Sequence, residues 1–412
     1  MDPQAPRANW LRRQIDEIAA DPILRFYGVA LAVQNVVTVA YWTLRRDLAV
    51  RIGEGSFPMC WPFWEDCHLW RVLTREQVSA ILGIYLILSM AAGVAFLFRR
   101  RVAWGYGLLL AVYLLRMALV AQDFTLRLNQ HYMAIWVGAA FLLWPRKRAL
   151  IPALLVSFYF WAGALKLDTE WLTGAALYNS DKLWMPAALV PASCVYVVVL
   201  EMLLVFGLYS RRAWLWGATL AQLVVFHVWS WPIVGFYYPL LMFALLSIFP
   251  MIRLTAPAGQ QLSAADLCRP GTRLPALTLL GGFALCQLLP FAFPGDSAIT
   301  GQGRLFALNM FDALVVCEGT TTEHRTDGTA RTTRVPNKTY AKRIACDPIF
   351  HFNYARHQCR RLAARGKGGD IDLKLRSRRT SEPELRDVID IRGFCSTPIT
   401  YDMWRANTWI LP

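Results

Sequence analysis

Residues 78–121 read VSAILGIYLILSMAAGVAFLFRRRVAWGYGLLLAVYLLRMALVA, two apolar runs separated by Arg99, Arg100 and Arg101. A bilayer core of ~30 Å needs roughly 20 helical residues, so each run is long enough to cross, and the arginines between them mark a turn held at one surface. The pattern recurs on both sides. Apolar stretches near 23–44, 78–98, 102–121, 131–144, 149–166, 187–208, 213–230, 232–250 and 275–293 give nine expected spans, the fourth short enough to be tilted or partly re-entrant. Composition agrees: 56% of the 412 residues are hydrophobic and 17% charged, against ~45–50% and ~25% in soluble chains. This excludes a disordered, collagen-like or nucleic-acid-binding protein despite a net charge of +15, most of which lies in short clusters between the runs.

Those clusters alternate. Arg7, Arg12 and Arg13 precede the first span; Arg99 to Arg101, Arg146 to Arg148, Arg211 and Arg212, and Arg253, Arg269 and Arg273 occupy every second loop thereafter. The positive-inside rule then sets the N-terminus in the cytoplasm and everything after residue 294 outside. The expected organisation is a cytoplasmic segment 1–22, a transmembrane helical domain 23–293 and an extracytoplasmic domain 294–412. The fold class is an all-α polytopic membrane bundle followed by a small α+β domain. The amphipathic opening MDPQAPRANWLRRQIDEIAADP lacks the apolar core of a signal peptide. Arg outnumbers Lys, as in GC-rich bacterial genomes, which points to the bacterial cytoplasmic (inner) membrane; in a eukaryote, Asn337-Lys338-Thr339 would be a glycosylation sequon on the outer side.

Cysteine placement bears on the same topology, because thiols pair in oxidising compartments. Nine spans put Cys60, Cys67, Cys317, Cys346, Cys359 and Cys395 outside, an even set, with Cys194 and Cys286 in membrane and Cys268 inside. At least two of the six are expected to pair, with a bridge from the first outer loop, through Cys60 or Cys67, to the tail. Unpaired buried thiols are the alternative, and a zinc set of Cys346, His351, His357 and Cys359 lacks a recognised spacing. In the tail, turn signals at 293–296, 326–328 and 366–370 separate strand-like stretches at 305–317 and 387–392 and an amphipathic helix at 347–364. Arg and Lys at 360, 361, 365, 367, 374, 376, 378 and 379 form a basic run, a solvated face or one that steers an acidic polypeptide.

Ionisable groups within hydrocarbon are costly and mark function by default. Four qualify: Arg116 in span three, Lys166 at the outer end of span five, Glu201 in span six and His227 near the outer end of span seven. For Arg116 and Glu201 the structural account is a mutual or backbone-satisfied pair, and for His227 a satisfied interfacial imidazole. Lys166 has two opposite fates. It snorkels to water, or it faces the bundle interior, where a dry site favours the neutral amine, which is a strong base.

The segment around Lys166, FYFWAGALKLDTEWLTGAALY at 158–178, resembles the vitamin K-dependent gamma-glutamyl carboxylase family through Tyr159, Phe160, Ala162, Gly163, Lys166, Leu167, Asp168, Trp171 and Gly174. NQHYM at 129–133, FHVWSWPIVGFYYPLLMFAL at 226–245, QLLPFAFPGDSAITGQGRLFALNM at 287–310 and EDCHL at 65–69 resemble further family segments in order. The likeness runs from about residue 23 to about residue 395. Its helical part is shared by the wider horizontally transferred transmembrane domain (HTTM) superfamily.

The resemblance implies that Lys166 deprotonates a reduced vitamin K, menaquinol or a similar naphthoquinol. The anion takes up O2, and the strong base formed on the way to the epoxide removes a proton from a glutamate gamma-carbon, which captures CO2. It further implies catalytic roles for His131, His227 and Glu201, a quinone site at Asn129, Gln130, Tyr159, Phe160, Gly163 and Trp171, and no metal. The expected partners are the bilayer, an isoprenoid quinone and an exported Glu-containing polypeptide. The chain departs from the family pattern at Gln130, where a histidine is usual and His131 follows one place later, and at Ser230 and Leu308. Two alternatives therefore stand beside the carboxylase: a quinol epoxidase or oxidase without peptide carboxylation, and a non-enzymatic HTTM protein that aids peptide maturation or export.

Overall fold

In the computed structural model, residues 10–53, 59–64, 67, 73–177, 185–255, 262–308, 314–325, 328–336, 342–366 and 369–412 are described. The Asn337 sequon and most of the 65–69 stretch lie outside them. Among the described residues, seven helical stretches are long and apolar enough to cross a membrane: Pro22–Leu44, Arg75–Leu97, Arg99–Ala121, Ala187–Tyr209, Ala213–Val234, Tyr237–Thr255 and Arg273–Ala292. The fourth and fifth expected spans are the helices Asn129–Leu143 and Lys147–Ala164. At 15 residues the first extends only about 22 Å, and the second opens on Lys147 and Arg148, which dilute its apolar run.

Local chemistry sets where these helices start. Asp21 caps Pro22–Leu44, its carboxylate accepting from the Ile23 amide at 2.8 Å, with proline in the first turn, where no amide donor is missed. Thr74 and Gln77 form a capping box at the head of Arg75–Leu97. Ile84, Ile87, Met90, Val225, Val228 and Leu285 stay exposed, a distribution that suits lipid contact and not water.

An amphipathic helix, Trp10–Ala20, closes one end of the bundle. Glu17 accepts from the Lys147 amide at 2.7 Å and from the Arg146 amide at 3.2 Å, and Asp21 lies 3.7 Å from Arg148. The loop ends that meet the tail lie at the opposite end. There Asn353 donates to the Cys60 carbonyl at 3.0 Å, and Asp347 pairs with Arg127 at 2.7 Å in a nearly dry setting. Apolar residues from both parts share one core, Trp61, Val112 and Phe124 packing in the same cluster as Phe350, Leu373 and Val388.

The tail is an antiparallel sheet of four strands, β1 (Val315–Arg325), β2 (Ala330–Arg334), β3 (Gly369–Arg379) and β4 (Arg386–Ile391), in the order β2-β1-β3-β4. Ile371, Leu373, Leu375 and Ser377 alternate inward along β3, towards the helix Pro348–Ala364. That helix and β4 fall where the sequence places them. Of the strand expected over 305–317, the start is a turn of 3-10 helix at Arg304–Phe306, residues 309–313 lie outside the described residues, and the end belongs to β1 from Val315. On β3 the basic run is engaged, Lys374 meeting Asp387 at 3.2 Å, Arg376 the same carboxylate at 3.5 Å and Arg379 pairing with Asp296 at 2.6 Å, while Lys367 lies outside the described residues.

All six expected cysteines pair, as Cys60–Cys67, Cys317–Cys346 and Cys359–Cys395. The expected bridge from the first outer loop to the tail is not formed, because Cys60 and Cys67 close on each other within the loop and Asn353 makes the connection by hydrogen bonds. The same pairing removes Cys346 and Cys359 as zinc ligands.

Candidate functional site

Lys166 follows directly on the Lys147–Ala164 helix, its amide donating to the Gly163 carbonyl at 3.0 Å. Tyr159, Gly163 and Lys166 recur at helical spacing and share a face. That face is turned inward, so the snorkelling fate is excluded: Lys166 is 1% exposed, and its amine donates to the Glu201 carboxylate, itself 1% exposed. The two helices come together at Gly163, where a Cβ would lie 2.6 Å from Met202 Cγ and 3.0 Å from Glu201 Cβ. Trp171 and Phe226 complete the surroundings, with the amine 5.2 Å and 5.9 Å from their ring centres. The Trp171 indole is fixed by donating to the Cys194 carbonyl at 2.9 Å.

One turn back, the Tyr159 hydroxyl and His227 Nε2 are 2.6 Å apart and fully buried. With the phenol as donor, the neutral imidazole carries its proton on Nδ1, which has no partner among the described residues. Tyr238 packs on His227 at 5.5 Å between ring centres. Lys166, Glu201, Tyr159 and His227 thus form one dry group within aromatic walls.

His131 is not in it. Its Nε2 accepts from Trp42 at 3.2 Å, and its ring lies 5.7 Å from Tyr237. Nor does Arg116 pair with Glu201. The Arg116 guanidinium is 2% exposed and donates to the Tyr85 hydroxyl at 3.1 Å and to Thr38 Oγ1 at 2.5 Å. Asn129 and Gln130 open the helix that carries His131 and are half-buried. Phe160 points to another side, its ring 6.3 Å from that of Phe206. Of the residues expected around the quinone, only Tyr159, Gly163 and Trp171 stand with Lys166.

The tail covers the outer face of this group. Glu170, four residues after Lys166 and 2% exposed, accepts from the hydroxyls of Thr380 and Ser381 and from the Ser381 amide at 3.2 Å. Arg379 bonds Asp168 at 3.2 Å and Asp296 at 2.6 Å. Partial burial raises the Asp296 carboxyl, but Arg379, the Ala298 amide and Arg386 together outweigh it and hold the group below the usual carboxylate range. The sequence marks Asp168 only as part of a motif and gives no sign that the β3–β4 turn meets it. Contacts between residues some 210 positions apart leave no local periodicity.

A quinol base at Lys166 calls for a cavity beside it large enough for a naphthoquinone. A cavity of about 590 Å³ lies between Pro22–Leu44 and Arg75–Leu97, lined by Val39, Thr43, Leu82 and Leu86 and touching none of Lys166, Glu201, His131 or His227. No protein-family model matches the chain, and no curated protein or solved structure is detectably similar to it.

Proposed function

We propose that the chain is an integral membrane enzyme of the gamma-carboxylase type, with Lys166 as the base that acts on a reduced naphthoquinone. The observation that carries this is the inward amine: a lysine held in the bundle interior against a single carboxylate has a route to the neutral, basic state. Passing its proton to Glu201 leaves amine and acid both uncharged, which a dry site favours over the separated ions. The donor set suits a hydroxylated aromatic ring. An amine, a phenol and the orphan Nδ1–H of His227 stand within aromatic walls, and admitting the ring requires these side chains to part. When bound, the quinol supplies the oxygen-dependent chemistry that makes a base strong enough for a glutamate gamma-carbon. The chain's own part is to take the first proton at Lys166 Nζ while Glu201 keeps the proton the amine gave up, orient a ring hydroxyl by His227 and Tyr159, and exclude water beneath the Arg379–Ser381 turn.

The same reading has nine crossings, with the shorter helices Asn129–Leu143 and Lys147–Ala164 as the fourth and fifth. The N-terminus is in the cytoplasm and the disulfide-bonded tail outside, in a bacterial inner membrane. The gathering of Trp10–Ala20 with the Arg146–Arg148 turn at the end away from the tail supports it. His131 standing with Trp42 and not with Lys166 favours a second reading, quinol epoxidation without peptide carboxylation. Purified protein in lipid nanodiscs, given naphthoquinol, O2, labelled CO2 and a Glu-rich peptide, separates them. Epoxide with labelled peptide is expected. Epoxide alone supports the second reading, and neither product leaves a non-enzymatic membrane protein.

A further inference from the structure

The Lys166 chemistry leaves a second buried polar cluster unused. Gln34, Asn35 and Thr38 are buried on one helix, and Asn35 accepts from the Tyr85 hydroxyl at 2.5 Å. Arg116 bonds that same hydroxyl and Thr38, and turning the Gln34 amide oxygen inward adds an acceptor at 2.8 Å. Every one of these partners is neutral. Among the described residues Arg116 forms no ion pair with a carboxylate, so its charge is hydrogen-bonded but not balanced. A guanidinium in low dielectric favours an anion against it, and its planar fork matches a two-oxygen group best.

His131 makes a second, independent request for an acceptor. The ring is 1% exposed, and because Nε2 accepts from Trp42 the proton of the neutral imidazole sits on Nδ1, which is buried without a partner among the described residues. Cations continue from the cluster towards the tail end. Tyr41 stacks on Tyr237 with ring centres 4.4 Å apart, Arg46 donates to the Tyr41 hydroxyl at 2.7 Å, and Arg45 lies 5.9 Å from the Phe236 ring centre. Neither arginine forms an ion pair among the described residues. A file of positive charge leading inward raises the local concentration of anions.

We propose that this cluster opens to bind a carboxylate-type anion, held by Arg116 and His131. Bicarbonate and the side chain of a glutamyl residue carry the same planar two-oxygen group. The site does not depend on the Lys166 reading. Tyr237 faces this cluster and Tyr238 faces His227, so the two sites share a helix but are built from different side chains.

The test uses full-length protein in nanodiscs of zwitterionic lipid, with no quinol present, and reads thermal unfolding against formate, bicarbonate and N-acetylglutamate amide at constant ionic strength in chloride. A saturable rise in the midpoint is expected with at least formate. Bicarbonate responding without the glutamate amide identifies a solution anion, and the converse identifies a polypeptide side chain. Arg116→Gln and His131→Phe should each weaken the response about tenfold or more, the worth of one charge-assisted hydrogen bond. No saturable response in the unaltered protein, an equal response to added chloride, or an undiminished response in folded Arg116→Gln overturns the proposal. If Arg116→Gln does not fold, His131→Phe decides on the same terms.

Discussion

At the scale of single residues, the Lys166–Glu201 pair separates a structural role from a chemical one. Removing one partner strands the other, so Glu201→Leu alone should cost about 3–5 kcal/mol, whereas Lys166→Met with Glu201→Leu should recover most of it; thermal unfolding in detergent micelles reads both. Lys166→Arg should keep the fold and abolish quinol epoxidation, because guanidinium stays protonated. Near-normal turnover there would leave the lysine a structural cation. Gly163 is fixed by space: Gly163→Val would drive a side chain into Met202 and Glu201, at a cost of about 1–3 kcal/mol, and should depress epoxidation further than that loss explains because Glu201 moves. In the tail, burial holds the His351 imidazole down to about 4. An unfolded chain therefore binds a proton that the folded one refuses. Stability is complete above about pH 6.5 and falls as the pH drops towards 4, by about 3 kcal/mol in all. Asp347, raised by burial against the pull of Arg127, works in the opposite sense at the acid end. Limited proteolysis of the tail at pH 7 and pH 5 should show the change, and His351→Phe should remove it.

At the scale of elements, the turn between β3 and β4 is joined to the loop that follows Lys166 by two kinds of contact. Arg379 bonds Asp168, and the Thr380 and Ser381 hydroxyls bond the buried Glu170. Glu170→Ala leaves those two hydroxyls and the Ser381 amide without their acceptor and should cost about 1–3 kcal/mol. It should also raise proteolytic cleavage at residues 378–386 before any other part of the tail opens. The helix Pro348–Ala364 and strand β4 were legible because amphipathic spacing and a β-branched run act over a few residues. The stretch 305–317 misled because its apolar residues pack against the bundle: Leu305 and Leu308 are buried there, and the Leu308 amide donates to Gln287 at 2.8 Å. At Leu308 tertiary contact satisfies the backbone, and strand pairing begins only at Val315.

At the scale of the whole molecule, two ends of different chemistry face each other across an apolar bundle. The N-terminal helix and the Arg146–Arg148 turn lie at one end, and the sheet, the three disulfides and the Arg127–Asp347 pair at the other. A fluorescent reporter that matures only in the cytoplasm, fused after Pro412, should stay dark. A bright fusion would put the tail inside and remove the oxidising compartment that its disulfides require.

Membrane residence, the alternation of basic loops and the set of cysteines that pair were determined by the sequence alone, since each depends on composition or on side chains counted along the chain. The same holds for the suspicion attached to Lys166, because a charge in an apolar run is visible without any partner. Only the tertiary structure decided which partner it has. Glu201 was as visible as Arg116, and nothing in spacing distinguishes a carboxylate that meets a lysine 35 positions earlier from one that meets an arginine. Helix packing at Gly163 brings Glu201 to Lys166, and the split between Tyr237 and Tyr238 sends His131 to Arg116's side. The sign of every buried contact rests on which helix faces turn together, and that is settled by packing across the bundle.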